Sequence, residues 1–383
     1  MGTMNMRKAS HTLKSVCELD LPAEALVPMV LEALHDVVPS ARNLFDWTDA
    51  QGRLLQYFIE GPVDEAVARL YFDEFHNRRE AEVMPAFGSL QHAPAGVRSA
   101  AELDNAAFFE SALYREVWLP QQLKYRLEAV VRGLHGQLLG SLVLYRGPGD
   151  RCFTRDDEQR LAALLPQFAA ALERAGTAVP AQRHVPRPHA TQSLLLGADG
   201  RVCHASHGAR RLLMLARGGM TRDRLEQPLE VLAGPTLELL LRQLRLQQGS
   251  AHGPCTVTQE NAWGCFTFAA TQLAPLQGAG LGVGVGAPLV QVMLHWSEPH
   301  HRALQRTLRR LPLTPGQQVV CRELYHGHTQ SAIGQRLGVA STTVIDHVRK
   351  LYRTLEVRSV QELRGLIDAQ LQAHDGTDGT RAA

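Results

Sequence analysis

The side chains best suited to chemistry lie near the end of the chain, between Thr342 and Arg353. Aliphatic residues recur there at i, i+4, i+7 and i+11, and they predict one buried stripe of a helix, formed by Val344, Val348, Leu351 and Leu355. The positions off this stripe are Thr342, Thr343, Ile345, Asp346, Arg349, Lys350 and Arg353. Hydroxyl, ammonium and guanidinium groups donate to phosphate oxygens and to base edges, so the pattern indicates a surface that binds nucleic acid.

Catalytic chemistry finds no comparable support. The chain has no G-x-S-x-G or H-E-x-x-H sequence, and its isolated histidines lack a carboxylate or thiol at ligand spacing. The glycine-rich stretch 278–287 lacks the Lys-Ser/Thr ending of a phosphate-binding loop, and we interpret it as a hairpin loop. We therefore predict a protein that is not an enzyme and that needs no cofactor or structural metal.

Composition is that of a globular protein of two or three domains, with 383 residues of which 45% are hydrophobic and 20% charged. The six cysteines form no C-x-x-C pair, which fits a reducing compartment. No run of 18 apolar residues occurs, so we expect a soluble cytoplasmic protein without a membrane partner. Charge is uneven: from His301 onward there are 12 Lys and Arg against 7 Asp and Glu, compared with 28 against 31 before it.

Four short helices must position the polar face, and each has local start or stop signals. Thr314 with Gln317 forms a capping box around Pro315 at the first helical position. Gln330–Leu337 is a second helix, with Thr329 as its cap and Gly338 as its stop. Ser341–Leu355 is the third, and Ser359 with Glu362 opens the fourth. The second and third, joined through Gly338, fit a helix-turn-helix.

At these residues the chain resembles the LuxR-type DNA-binding domains of bacterial transcription regulators. The resemblance covers about 55 residues and rests on Leu313-Thr314, Gly327, Ile333, Leu337-Gly338-Val339, Thr343-Val344, His347, Leu355, Val357 and Glu362-Leu363. It implies an all-α tetrahelical domain that binds double-stranded DNA as a homodimer, with the third helix in the major groove. The DNA-binding residues expected on this basis are Thr329, Gln330, Ser331, Ser341, Thr342, Thr343, Ile345, Asp346, His347, Arg349, Lys350 and Arg353.

Departures from that family pattern leave a second interpretation open. Ile345 stands where the family usually has Lys, and the acidic Asp346 follows it. Gln317 and Val319 replace acidic residues, and Ser331 and Ala332 replace Lys and Glu. These changes are compatible with a C-terminal bundle that has lost DNA binding and serves a protein partner. The alternative function is therefore an interaction or co-regulator protein.

The preceding chain resembles two sensor domains. Helix, hairpin, variable middle and second hairpin lead to GQLLGSLVLYR and CFTRDDEQRLAALLPQFAAALERA, in which Thr154 and Asp157 begin one long helix through Ala175, and this resembles a GAF domain over 16–176. A strand–turn–strand with Asp199-Gly200, followed by a short helix, is similar to a PAS domain over 191–298. The resemblances imply a possible small-molecule effector in a sensor domain.

The complete prediction is a multidomain α+β protein in which two α/β sensor domains precede the helical domain. We place a disordered tail at 1–15, a proline-rich linker at 177–190, a connecting helix at 299–312, the helix-turn-helix domain at 313–373 and a second disordered tail at 374–383. The connecting helix, HHRALQRTLRR, is strongly basic. It is either a solvated linker or a dimerising helix whose arginines contact phosphates.

Overall fold

The computed structural model describes residues 2–176, 183–197, 199–246, 254–273 and 289–373, so the predicted loop at 278–287 and tail at 374–383 lie outside the described residues. The strands are β1 (Arg42–Thr48), β2 (Leu54–Ile59), β3 (Gly96–Arg98), β4 (Tyr125–Arg132), β5 (Leu138–Arg146), β6 (His184–Leu196), β7 (Val202–Ala205), β8 (Cys255–Asn261), β9 (Gly264–Leu273) and β10 (Leu289–Pro299). The helices are α1 (Gly2–Cys17), α2 (Ala23–Leu34), α3 (Glu65–Leu70), α4 (Ala100–Leu103), α5 (Ala106–Phe109), α6 (Arg155–Ala162), α7 (Leu165–Arg174), α8 (Ala209–Ala216), α9 (Arg222–Glu226), α10 (Leu229–Leu246), α11 (His300–Arg310), α12 (Pro315–Tyr325), α13 (Gln330–Leu337), α14 (Ser341–Leu355) and α15 (Val360–Ala373). Short 3-10 or π turns lie at Tyr71–Phe75, Arg79–Glu82, Phe87–Gln91, Tyr114–Trp118 and Leu119–Gln121.

Two five-stranded sheets share one topology. The first has the strand order β2-β1-β5-β4-β3, and the second has the equivalent order β7-β6-β10-β9-β8. The pairing β1–β2 and the pairing β4–β5 are antiparallel, which confirms both hairpins predicted in the first half of the chain. The mixed α+β class with more than one domain is confirmed in this coarse form. The GAF-like and PAS-like identities remain predictions.

The described chain forms two compact units. One is helical and comprises Met1–Pro39, Pro166–Val185 and Pro299–Ala383; the other contains both sheets and comprises Ser40–Leu165 and Pro186–Glu298. In the helical unit, aliphatic side chains of α11 to α15 form one buried cluster, which includes Leu304, Leu308, Val320, Leu324, Ile333, Val344, Val348, Leu351, Leu363 and Ile367. This cluster holds the helix that carries the predicted polar face. The predicted domain limits stay predictions.

The predicted disordered tail at 1–15 is wrong, because residues 2–17 form α1. Ala9, Leu13, Val16 and Cys17 are buried. They stand at i, i+4, i+7 and i+8, an apolar stripe that the polar composition of the segment conceals. Burial of this stripe supplies the stability that an isolated short helix lacks.

The predicted long helix from Thr154 to Ala175 is also wrong as one element. Its start is confirmed, since Thr154 Oγ1 accepts a hydrogen bond from the Asp157 N–H in a capping box. The helix nevertheless ends at Ala162, and α7 begins at Leu165. Pro166 explains the break, because a proline inside a helix lacks the N–H and clashes with the carbonyl four residues earlier.

The predicted linker at 177–190 is shorter than expected, because β6 begins at His184. Residues 177–182 lie outside the described residues. Pro186 and Pro188 stand in the part of β6 that precedes its pairing with β7, which covers Leu194–Leu196. Proline is tolerated where one side of a strand has no ladder partner, and this is the physical reason that a proline-rich segment can enter the sheet.

Candidate nucleic-acid interface

Three local signals set the ends of the helices that carry the interface. Thr314 Oγ1 accepts from the Gln317 N–H at 3.4 Å, and Gln317 Oε1 accepts from the Thr314 N–H at 2.7 Å. Thr329 Oγ1 accepts from the Ala332 N–H at 3.2 Å. Gly338 ends α13 in the left-handed region, with φ of 65°. These contacts confirm the predicted capping box, the predicted cap and the predicted stop.

The turn between α13 and α14 is tight because two glycines permit it. Gly338 supplies the positive φ, and the Val339 N–H donates to the Gly334 carbonyl at 3.0 Å. A Cβ on Gly334 would lie 3.1 Å from the Val339 carbonyl oxygen and 3.6 Å from Ser341 Oγ, so glycine allows α13 to approach the start of α14 closely. The turn fixes the orientation of α14 relative to α13.

The predicted site residues lie on the exposed side of this pair of helices. Exposed members are Thr329, Gln330, Ser331, Ser341, Thr342, Thr343, Asp346, Arg349, Lys350 and Arg353. The aliphatic stripe of α14 is buried, as predicted. We call the exposed set on α14, which is Thr342, Thr343, Asp346, Arg349, Lys350 and Arg353, the outer face of α14.

Two predicted residues differ from this set, because Ile345 and His347 are half-buried. The ring of His347 packs beside Gly316 of α12, since a Cβ on Gly316 would lie 3.2 Å from His347 Cε1. His347 therefore contributes packing between α14 and α12. Its contact with DNA stays a prediction, as it does for every residue of the predicted set.

Charge on the outer face of α14 is partly cancelled. Lys350 Nζ lies 2.7 Å from Asp346 Oδ2, and both side chains are more than half exposed. The hydrogen bond from Lys350 lowers the pKa of Asp346, so this carboxylate is ionised near neutral pH. Arg349 and Arg353 make no ion pair within the described residues. The two guanidinium groups are thus the cations most available to an approaching polyanion.

The sequence interpretation missed a buried carboxylate under α13. Glu323 of α12 is 6% exposed, and its Oε2 lies 3.0 Å from Arg336 Nε and 3.1 Å from His328 Nδ1. Arg322 approaches the other oxygen at 3.7 Å. The network fixes α13 against α12. In the sequence, Arg322, His328 and Arg336 lie 1, 5 and 13 residues from Glu323, and these spacings match no motif.

A second missed contact joins three helices. The Tyr325 hydroxyl donates to Asp368 Oδ1 at 2.6 Å, and His300 Nε2 lies 3.0 Å from the same hydroxyl. The rings of His300 and Tyr325 are stacked with centroids 5.5 Å apart. Burial, and after it the hydrogen bond to Asp368, raises the pKa of Tyr325 to about 12. α11, α12 and α15 are therefore coupled by a neutral phenol.

The basic helix α11 is not a solvated linker. Ala303, Leu304 and Leu308 are buried, which the high arginine content of the sequence obscured. Arg302 Nε donates to Glu32 Oε1 at 2.8 Å, and Arg306 Nη2 donates to the same oxygen at 2.7 Å. Burial opposes ionisation of Glu32, but these two guanidinium groups outweigh it and hold its pKa well below the usual range.

Arg309 continues the row, with its Nη2 donating to Asp36 Oδ2 at 2.6 Å. Three arginines of α11 are therefore paired with two carboxylates: Glu32, which lies in α2, and Asp36, which follows the end of α2. The possibility that they contact phosphates finds no support in this arrangement.

Among the residues that the structure describes, no helix is both long enough and apolar enough to cross a bilayer. No family model matches the chain, and a search of curated proteins finds no match.

Solved structures give low-scoring likenesses. The Vibrio cholera VqmA–ligand–DNA complex has 15% identity over 49% of this chain and 85% of that chain, with a TM-score of 0.24. The Vibrio cholerae VqmA dimer without target DNA, described with LuxR-type receptors, has 16% identity over 50% and 86%, with a TM-score of 0.20. The E. coli DhaR(N)–DhaL complex has 14% identity over 76% and 88%, with a TM-score of 0.24. At these scores the likenesses carry no argument about function.

Proposed function

We propose that this protein is a DNA-binding transcription regulator in which α13 and α14 form a helix-turn-helix and α14 enters the major groove. One observation carries the proposal: the outer face of α14 exposes hydroxyl and cationic groups while its opposite face is buried in the core of α11 to α15. A helix with this division of faces can contact a duplex without losing its packing.

The roles within the site follow from side-chain chemistry. Arg349 and Arg353 bind phosphates, because cationic side chains that neutralise phosphates release counterions from the duplex. Lys350 contributes less to this binding in the wild type, because it pairs with Asp346. Thr342 and Thr343 stand at the first turn of α14, where recognition helices contact base edges. The exposed N-terminus of α13 contacts the phosphate backbone of the DNA through N–H groups and hydroxyls. Its residues are Thr329, Gln330 and Ser331.

The regulator senses an input through its sheet domains, which we assign to the GAF-like and PAS-like classes, and it acts as a homodimer on a two-fold symmetric site. Control requires a ligand or partner that binds one arrangement of the chain better than another, since equal affinity shifts no population. The pairing of α11 with Glu32 and Asp36 gives the helical unit a link between its N-terminal and C-terminal parts.

The test uses the full chain, because α1 and α2 supply partners to the C-terminal helices. Thr12 Oγ1, for example, donates to Gln318 Oε1 at 3.2 Å. Fluorescence anisotropy with labelled genomic fragments at two salt concentrations measures affinity and its salt dependence. The double variant Arg349→Ala/Arg353→Ala is expected to bind all fragments more weakly and with a flatter salt slope. Arg242→Ala, an exposed arginine of α10, is the matched control. Equal binding by both variants contradicts the proposal.

A second candidate function is an interaction protein whose C-terminal bundle binds a protein partner. The Asp346–Lys350 ion pair favours it, because this pair removes net positive charge from the outer face of α14. The anisotropy titration separates the two functions: absence of DNA binding by the wild-type chain at low salt supports the interaction protein and rejects the regulator.

A further inference from the structure

A cavity of about 140 Å³ lies on one face of the first sheet. Its walls come from β1, β2, β4 and β5, from α3 with the turns that follow it, and from the Tyr114–Trp118 turn. The volume is close to the roughly 150 Å³ that admits a benzene molecule in an engineered protein cavity. Polar side chains that line it are Asp46, Tyr57, Tyr71, His76, Glu80, Gln121, Arg126, Glu128, Ser141 and Tyr145.

Arg126 provides an unusual donor in the lining of this cavity. The residue is 4% exposed, yet Nε and Nη2 have no hydrogen-bond partner in the described part of the chain. Nη1 donates only to the sulfur of Met84, at 3.0 Å, and the guanidinium lies over the Trp118 ring at 5.2 Å from the centroid. Asp104 accepts from the backbone N–H of Arg126. Buried donors are rarely left unpaired, so an acceptor from outside the chain fits here.

Asp46 provides an uncommitted acid in the same cavity. Glu80 accepts from the Tyr71 hydroxyl at 2.9 Å and from two backbone N–H groups, and Glu128 pairs with Arg98 at 3.3 Å. The Asp46 carboxyl is buried and makes no hydrogen bond with the residues that the structure describes. Burial raises its pKa well above the usual value, and the charges of Glu128 and Glu80 raise it further. A donor or cation from a ligand would relieve this cost.

Strand register separates the two groups. Asp46 pairs with Ser141 across β1 and β5, and Arg126 pairs with Tyr145 across β4 and β5. Ser141 and Tyr145 are four residues apart on β5, which corresponds to about 13 Å along the strand. Asp46 and Arg126 therefore reach the cavity from well-separated backbone positions on the sheet. The apolar and aromatic part of the lining includes Leu44, Val67, Phe72, Phe87, Val117 and Trp118.

We propose that this cavity binds a compact amphoteric molecule, with an anionic oxygen held by Arg126, an apolar and preferably aromatic body, and an amino group held by Asp46. Two other ligand classes fit less well. A fatty acid would leave Asp46 without a partner, and a nucleotide would place its phosphate charges near the acidic side chains Asp46, Glu80 and Glu128. The inference rests on the proposed regulator function and names the chemistry of its input; binding is measured without DNA, so the two proposals fail separately.

Calorimetric titration of the full chain tests the ligand chemistry with three probes of one shape. 4-(Aminomethyl)benzoate carries both charged ends, whereas 4-methylbenzoate and 4-methylbenzylamine carry one each. The first is expected to bind at least tenfold more tightly than either of the others, and Arg126→Met or Asp46→Asn should each abolish that advantage. Absence of binding by the two-ended probe, equal binding by all three, or an unchanged advantage in both variants overturns the proposal.

Stability of the ligand-free protein gives a second, independent test. Arg126→Met keeps the packing of the stem and removes unpaired buried N–H groups, so the Tm is expected to rise by about 2–4 °C. Arg146→Met is the matched control, because Arg146 is 3% exposed in the same sheet but pairs with Asp157 at 3.1 Å. Its Tm should fall. A fall of equal size in Arg126→Met would show that this guanidinium serves the fold and would overturn the proposal.

Discussion

Asp346→Ala is expected to strengthen DNA binding and to steepen its salt dependence. Lys350 Nζ now lies 2.7 Å from the Asp346 carboxylate, and the two side chains are 57% and 59% exposed. A pair this exposed holds its partners weakly, so loss of Asp346 frees Lys350 for a phosphate. Each phosphate contact contributes about 0.9 to the slope of log K against log salt.

The magnitude follows from that slope. One additional contact makes affinity fall by a further factor of about 3.5 when salt rises from 50 to 200 mM. Lys350→Ala is expected to flatten the wild-type slope by clearly less than Arg349→Ala does, because Arg349 makes no ion pair within the described residues. In the Asp346→Ala background, Lys350→Ala should instead remove the full increment of about 0.9.

The assay is anisotropy with one labelled duplex at four salt concentrations, for wild type and the variants of this double-mutant cycle. Asp346→Asn removes the same charge with little change of shape and should behave as Asp346→Ala does. Glu238→Ala, which removes an exposed acid of α10, is the control and should leave the slope unchanged. An unchanged slope in Asp346→Ala, or equal flattening by Lys350→Ala and Arg349→Ala in the wild type, refutes the reasoning.

The remaining predictions concern stability and thiol chemistry. Burial, together with the charges of Arg302 and neighbouring histidines, lowers the pKa of His301 to about 4. As pH falls, the imidazole of His301 is therefore protonated in the unfolded chain before it is protonated in the folded protein. Stability is therefore lost from pH 6.5 down to about 4, by on the order of 3 kcal/mol at most, and His301→Phe should lack this component in denaturant titrations across that range. Gly338→Ala should cost about 1 kcal/mol through its positive φ alone, because an added Cβ meets nothing within 4 Å, and a thermal melt that matches wild type would contradict this. Burial raises the pKa of the Cys321 thiol to about 12, so mass spectrometry after alkylation at pH 8 should show modification of the exposed Cys152 and none of Cys321 until denaturant is added.

Local signals predicted the C-terminal helices well. The starts of α12 and α13 depend on the capping threonines Thr314 and Thr329, and α13 ends at the left-handed Gly338, as the sequence indicated. α14 has no side-chain cap at its start, and its C-terminal cap is Glu356, a non-glycine residue with positive φ that no sequence signal marked. The exposed and buried faces of α14 followed from its apolar period alone. Helix caps and the apolar period of a helix each depend on residues that are close together in the sequence, so both can be recognised from the sequence alone.

Contacts between distant segments could not be predicted in the same way. Glu32 and Arg302 are 270 positions apart, and neither has a neighbour whose spacing marks the pair. The buried face of α11 was obscured by its arginines, and the stripe of α1 by its polar residues. Arg126 and Asp46 become a candidate site only because the sheet aligns β1, β4 and β5, and the orphaned N–H groups of Arg126 have no counterpart in the sequence.

The central claim is that the outer face of α14 binds DNA, and selection from a random pool of duplexes tests it most directly. The full wild-type chain is expected to enrich one sequence motif, and the triple variant Arg349→Ala/Lys350→Ala/Arg353→Ala should enrich none under the same salt. Recovery of no motif by the wild type, or of the same motif with equal enrichment by the triple variant, would contradict the claim.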